Sequence, residues 1–245
     1  MKFQSKGIYL LPNGITILSL FFGFKCIIDC LNHDYIQASH DIFYSLILDG
    51  LDGRIARLTN TQTSFGAELD SLADIVSFGL APGVLIYLYA FESSGRLGLV
   101  ASFLLTAMTA LRLARFNTNY STLDKRFFEG LPCPSSAAFI ASFVWVLEVH
   151  HINLPFKEFI FSVLAIALSL GMISSIPFLS FKVFDRSKIP LYGLMLAIIG
   201  FGLVILHPPL AILLVFFTYI FIQPFVLFFK KLKKGRLKNT KKNLD

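Results

Sequence analysis

The sequence predicts an all-α, polytopic membrane bundle of about eight transmembrane helices. Three observations lead there. Of 245 residues, 55% are hydrophobic and only 15% charged, and the mean hydropathy is +0.69. Apolar runs long enough to cross a bilayer recur with little polar interruption, whereas the helices of a soluble domain would carry polar faces. Lys and Arg gather in alternate connections, the asymmetry expected of a chain that crosses an even number of times.

The spans fall at residues 13–31, 36–56, 66–91, 97–116, 131–149, 156–179, 189–206 and 209–229. The first begins after Pro12, where Asn13 or Thr16 suits a helix start, and it contains Lys25 and Asp29, which i, i+4 spacing makes a local ion pair. Those charges and the lack of a small-residue cleavage pattern argue against a removable signal peptide, so the run is expected to stay as a helix. The second and third spans carry the acids discussed below. The fourth ends on Arg112 and Arg115, and the fifth opens after a Pro- and Ser-rich turn. The last three are generic apolar helices. With both termini cytoplasmic, 19 of the 22 basic residues lie on the inside, leaving Lys25, Arg96 and Lys157 elsewhere. Residues 1–229 form a single membrane domain, and residues 230–245 a basic cytoplasmic tail that anchors topology or lies on anionic headgroups. The net charge of +7 adjoins the spans, which excludes nucleic acid as its explanation. Cys26, Cys30 and Cys133 show neither disulfide nor zinc spacing. His33, His40, His150, His151 and His207 fall at or near the outer side, which speaks against a catalytic histidine.

Asp49, Asp52, Asp70 and Asp74 break the apolar pattern. At about 100° per residue, positions 49, 52 and 56 share one narrow arc of a helix and positions 66, 70 and 74 another. A charge at the centre of a membrane helix costs roughly 2.5–3.5 kcal/mol, so four acids together need compensation of about 10 kcal/mol. Hard divalent cations fit carboxylate oxygens, and no sulfur or imidazole cluster competes. Two such ions would balance four negative charges and leave a platform for a diphosphate. Arg57 can offset phosphate charge, and the small side chains of Gly53, Ala56 and Gly66 allow close approach of a nucleotide or metal. Glu68 lies off the stripe and is expected to be dispensable.

Reduced to its informative positions, the segment from Asp49 to Asp74 reads D-x-x-D-G-x-x-A-R, eight residues, then G-x-x-x-D-x-x-x-D. This pattern resembles the signature of the CDP-alcohol phosphotransferase family. The resemblance implies an integral membrane enzyme that uses two divalent cations, Mg2+ or Mn2+, to move a phosphatidyl or related group from a CDP-activated donor to an alcohol. It makes Asp49, Asp52, Asp70 and Asp74 the metal acids and Asp74 also the base that receives the acceptor's proton. Gly53, Ala56, Arg57 and Gly66 then line the CDP site, with Asn13 and Thr16 as further nucleotide contacts.

LPNGIT at residues 11–16, SFGLAPG at 77–83, ALRLARFN at 110–117 and FEGLPCPSSAA at 128–138 resemble the bacterial, membrane-embedded branch of that family that takes L-serine as acceptor and CDP-diacylglycerol as donor. Arg112 and Arg115, three residues apart, share a face on which either could fork onto the serine carboxylate, or else both are positive-inside anchors. Asn117, Ser135 and Ser136 are polar candidates for the same pocket, and Glu129 a weaker one for the ammonium. The turn LTNTQTSF between the second and third spans falls on the basic side, which places the site at the cytoplasmic face of the inner membrane, among membrane lipids; the resemblance also implies a homodimer. The competing readings are another acceptor, glycerol 3-phosphate or inositol phosphate, and, from a different class, a cation transporter.

Overall fold

The computed structural model describes residues 10–92, 95–118, 127–179 and 206–222. Within them seven helical rods follow in order: α1 (Leu10–Leu31), α2 (Tyr35–Leu58), α3 (Ser64–Phe91), α4 (Gly95–Thr118), α5 (Cys133–Val149), α6 (Lys157–Ile173) and α7 (Pro208–Ile222). They match six of the expected spans and part of the eighth; the seventh and the basic tail lie outside the described residues. Of these rods, α1, α3 and α4 are long and apolar enough to cross a membrane on composition alone. α2 has the length, but Asp41, Asp49, Asp52, Arg54 and Arg57 interrupt its hydropathy.

Local chemistry sets the joints. α1 ends where Asn32 and His33 bond back to the carbonyls of Ile28 and Cys30, at 3.1 and 3.0 Å, and His33 turns left-handed at φ 59°. Asp34 caps α2 by accepting from the Gln37 amide at 3.1 Å. Thr63 caps α3 by accepting from the Gly66 amide at 3.0 Å. These caps turn α2 back along α1 and α3 back along both, which brings the two acid stripes together.

α3 departs from regular helix. Residues Ile75–Leu80 and Tyr87–Phe91 form wide π turns. Pro82 lies inside this rod, where it has no amide to donate and its ring crowds the preceding turn; the widened backbone just before it absorbs that conflict. The sixth span is shorter than expected. α6 stops at Ile173, and Pro177–Leu179 instead pairs antiparallel with Phe127–Glu129, Phe128 opposite Phe178. Pro177 explains the break, since it cannot continue a helix and biases Ile176 toward extended backbone. This two-stranded ribbon is the one addition to an otherwise all-helical fold among the described residues. Gly130 closes it at φ 77°, donating to the Ile176 carbonyl at 3.0 Å, while Leu131 donates to Gly171 at 2.9 Å. A side chain at Gly130 would drive into the backbone carbonyls of Met172 and Ser174.

The core runs along α3, with Phe78, Leu85, Ile86 and Phe91 packed against Leu105 of α4, Val144 of α5 and Phe161 and Leu168 of α6. Ile17, Phe21, Phe24 and Ile28 of α1 face outward, as side chains solvated by lipid do. Between α1, α2 and α3 the contact is polar and close. The Ser19 and Ser45 hydroxyls lie 2.7 Å apart and each bonds the other's carbonyl, at 3.0 and 3.1 Å, while Ser77 donates to the Ser19 carbonyl at 3.2 Å. Gly23 allows this approach, because a Cβ there would meet the Ser77 hydroxyl at 2.5 Å. Lys25 does pair with Asp29, at 2.6 Å, but it also reaches the fully buried Asp41 of α2 at 2.9 Å. The expected local pair is therefore an interhelical triad, which spacing along one helix could not disclose.

Candidate active site

Asp49 lies in α2, and Asp70 and Asp74 lie one turn apart in α3. Their carboxylates converge, each offering an oxygen within 4.8 Å of the others, and all three side chains are half-buried. An all-oxygen set at this separation suits a hard divalent cation.

Asp52 is turned aside. It sits about 60° around α2 from Asp49, which aims it at α1, where its Oδ2 accepts from the Thr16 hydroxyl at 2.6 Å. Both residues are buried, at 5% and 4% exposure. Asp52 remains within electrostatic range of Asp49, Asp70 and Asp74. Thr16, an expected nucleotide contact, donates its hydroxyl to this acid and also bonds the Pro12 carbonyl at 3.1 Å. The other expected nucleotide residues gather at the same end. Asn13 approaches Gly66 so closely that a Cβ there would lie 3.1 Å from Asn13 Oδ1 and 3.2 Å from the Thr63 hydroxyl. Gly53 has open space save for Arg57 Nη2 at 3.8 Å from a would-be Cβ. Ala56 is half-buried, Arg57 is exposed, and their carbonyls accept from Thr61 at 3.0 Å and Asn60 at 3.4 Å in the turn that leads to α3.

The acceptor candidates divide. Arg112 lies within electrostatic range of Asp74; its Nη1 donates to Cys133 Sγ at 3.4 Å, and its Nε is buried without a partner. Arg115 is exposed and donates to the Ile173 carbonyl at the C-terminus of α6, 3.2 Å away, the contact of a helix-end anchor. Asn117 is exposed and bonds the Ser71 hydroxyl at 3.1 Å, between Asp70 and Asp74 in sequence. Ser135 and Ser136 are buried at the start of α5, and the Ser136 hydroxyl has no partner. Two residues near this side were not singled out from the sequence: Cys133, the Arg112 partner, and Ser169 of α6, buried with an unpartnered hydroxyl. Nothing in one-dimensional spacing marks a cysteine as a hydrogen-bond acceptor for an arginine on another helix. Glu68 is exposed and outside the carboxylate group. His33, His150 and His207 lie at helix ends remote from the acids, with the rings of His150 and His207 6.2 Å apart.

Carboxylates converging from two membrane helices, beside small residues and a half-buried arginine, form a group that could hold a divalent cation, and the chain belongs to the CDP-alcohol phosphatidyltransferase family, whose model matches residues 9–177. Curated relatives narrow the comparison. A CDP-diacylglycerol–serine O-phosphatidyltransferase of Helicobacter pylori is 38% identical over 201 residues, covering 82% of this chain and 84% of that protein. The enzyme of the same name from Methanocaldococcus jannaschii is 36% identical over 202 residues, covering 81% and 88%. That from Saccharomyces cerevisiae is 37% identical over 161 residues, covering 59% and 58%.

Proposed function

We propose that this integral membrane protein transfers the phosphatidyl group of CDP-diacylglycerol to L-serine, giving phosphatidylserine and CMP. The observation that carries the reading is the convergence of Asp49, Asp70 and Asp74 within 4.8 Å in a chain whose relatives bear that activity in their names over four-fifths of its length. With Asp52 these residues would hold two divalent cations, Mg2+ or Mn2+; bound there, the ions supply a grip on the diphosphate and neutralise charge developing on its oxygens.

The remaining roles belong to side chains. Asn13, Gly53, Ala56 and Gly66 border the cytidine and ribose where α1, α2 and the start of α3 meet, and Arg57, exposed at the end of α2, meets phosphate charge. Arg112 takes the serine carboxylate, since its Nε is buried and unpartnered and Asp74 is near enough to feel its charge. Ser136 offers a second bond to the same substrate. Asp74 accepts the hydroxyl proton as the serine oxygen bonds to the phosphorus bearing diacylglycerol; the phosphoanhydride bond breaks and CMP leaves. Direct displacement needs no protein nucleophile.

The site lies at the cytoplasmic face of the inner membrane, both termini are cytoplasmic, and residues 1–229 form one domain ahead of the basic tail, 230–245; the Lys and Arg distribution supports this orientation. The working unit is a homodimer with one site per subunit. The deciding experiment supplies purified protein with CDP-diacylglycerol, Mg2+ or Mn2+, and serine, glycerol 3-phosphate or inositol phosphate in turn. CMP release with serine alone is expected; release with glycerol 3-phosphate and none with serine overturns the assignment.

A further inference from the structure

The end of the bundle away from the acids carries a second set of charges. Tyr89 lies 15 residues beyond Asp74 in α3, and Glu148 lies 15 beyond Cys133 in α5, so about 20 Å of helix separates this end from the carboxylates. Here a cavity of about 280 Å³ opens between the last turn of α3 and the α5–α6 connection, lined by Tyr89, Glu148, His151, Asn153 and Lys157 among others. It is at the small end of ligand cavities. A recess of about 450 Å³ shares Tyr89 and Lys157 and adds Glu92 and Glu158.

Lys157 Nζ sits 3.4 Å over the centre of the Tyr89 ring, and Tyr35 packs edge-on against the other side of this wall at 5.0 Å. Glu148 is within electrostatic range of Lys157, Tyr89 and Tyr35. Yet no ion pair joins Glu148 to Lys157 among the described residues. Opposite charges thus share a cavity with room between them, which is the complement of a zwitterion. A purely anionic ligand would meet Glu148, Glu92 and Glu158, and a purely cationic one Lys157. A quaternary ammonium cannot donate to Glu148, and Lys157 already occupies the Tyr89 face on which such a group would stack. Ile152 in the lining is 44% exposed, and Phe156, which precedes Lys157 in the chain, is 83% exposed; such apolar surface suits acyl chains and not water.

We propose that this cavity is a headgroup site for an aminophospholipid in the leaflet opposite the acids: phosphate against Lys157, primary ammonium against Glu148, and acyl chains leaving past Ile152 and Phe156. The site is independent of the Asp cluster, so its failure and that of the transferase reading separate cleanly.

The test uses the full chain in detergent, with native mass spectrometry following titrations of dioleoyl phosphatidylethanolamine, phosphatidylcholine and phosphatidylglycerol. Phosphatidylethanolamine is expected to bind at least fivefold more tightly than the other two. Glu148→Gln should erase that preference, Glu148→Asp should restore most of it, and Lys157→Gln should weaken phosphatidylethanolamine at least fivefold. CMP release by the three variants should stay near that of the parent chain, which shows that they fold. Soluble phosphoethanolamine should compete at millimolar concentration. Equal binding of the three lipids, or an unchanged preference in Glu148→Gln, overturns the proposal; so does saturable binding of phosphoethanolamine without binding of the lipid, which makes this a soluble-ligand site.

Discussion

Replacing Thr16 by Val isolates what holds Asp52. The two side chains are close in shape, so α1 keeps its packing, but the 2.6 Å bond to Asp52 Oδ2 disappears and a carboxylate only 5% exposed loses its neutral donor. A hydrogen bond to a charged group contributes about 1.5–3 kcal/mol. If Asp52 serves the metal site through this orientation, the same energy is lost from cation affinity, which is about a 10- to 150-fold weaker dissociation constant. Paramagnetic resonance of Mn2+ titrated into the purified protein measures it without any turnover. Thr16→Ser keeps the hydroxyl and should stay within a few-fold of the parent chain. An Mn2+ affinity for Thr16→Val within twofold of the parent would refute the argument, leaving Thr16 as a helix-packing residue.

Asp74→Asn should lower CMP release by at least 100-fold while CDP-diacylglycerol still binds, because a base contributes about 10²–10⁴-fold to rate; Asp49→Asn should lose Mn2+ and donor binding together, and equal turnover in either variant would remove the proposed site. Arg112→Ala should raise the serine KM at least tenfold with the CDP-diacylglycerol KM within twofold, whereas Arg115→Ala should leave the serine KM unchanged; steady-state kinetics with each substrate varied separates the two arginines. Gly23→Leu should cost about 1–3 kcal/mol by overpacking against Ser77, lowering the thermal midpoint in detergent by roughly 2–10 °C; an unchanged midpoint would mean that α1 and α3 part more easily than the close approach at Gly23 implies.

Composition and motif alone established the class of fold and pointed to the acids proposed for the chemistry. Lipid as solvent forces long apolar runs to be helices, since every backbone amide must be satisfied within its own segment, and the four aspartates stand out because they recur at helical spacing in one motif, whereas Asp41 of the second span finds its reason only in Lys25 of a neighbouring helix. Periodicity then put Asp70 and Asp74 on one face, and Asp49 on another, before any contact was known. It could not put Asp52 against Thr16, Arg112 against Cys133, or Lys25 against Asp41. Those pairings depend on the rotation of one helix about its axis relative to its neighbours, which the caps at Asp34 and Thr63, the close approach at Gly23 and the π turns around Pro82 decide jointly. A shift of a single residue turns a helical side chain by about 100°, so the face each polar group meets became fixed only when the helices packed.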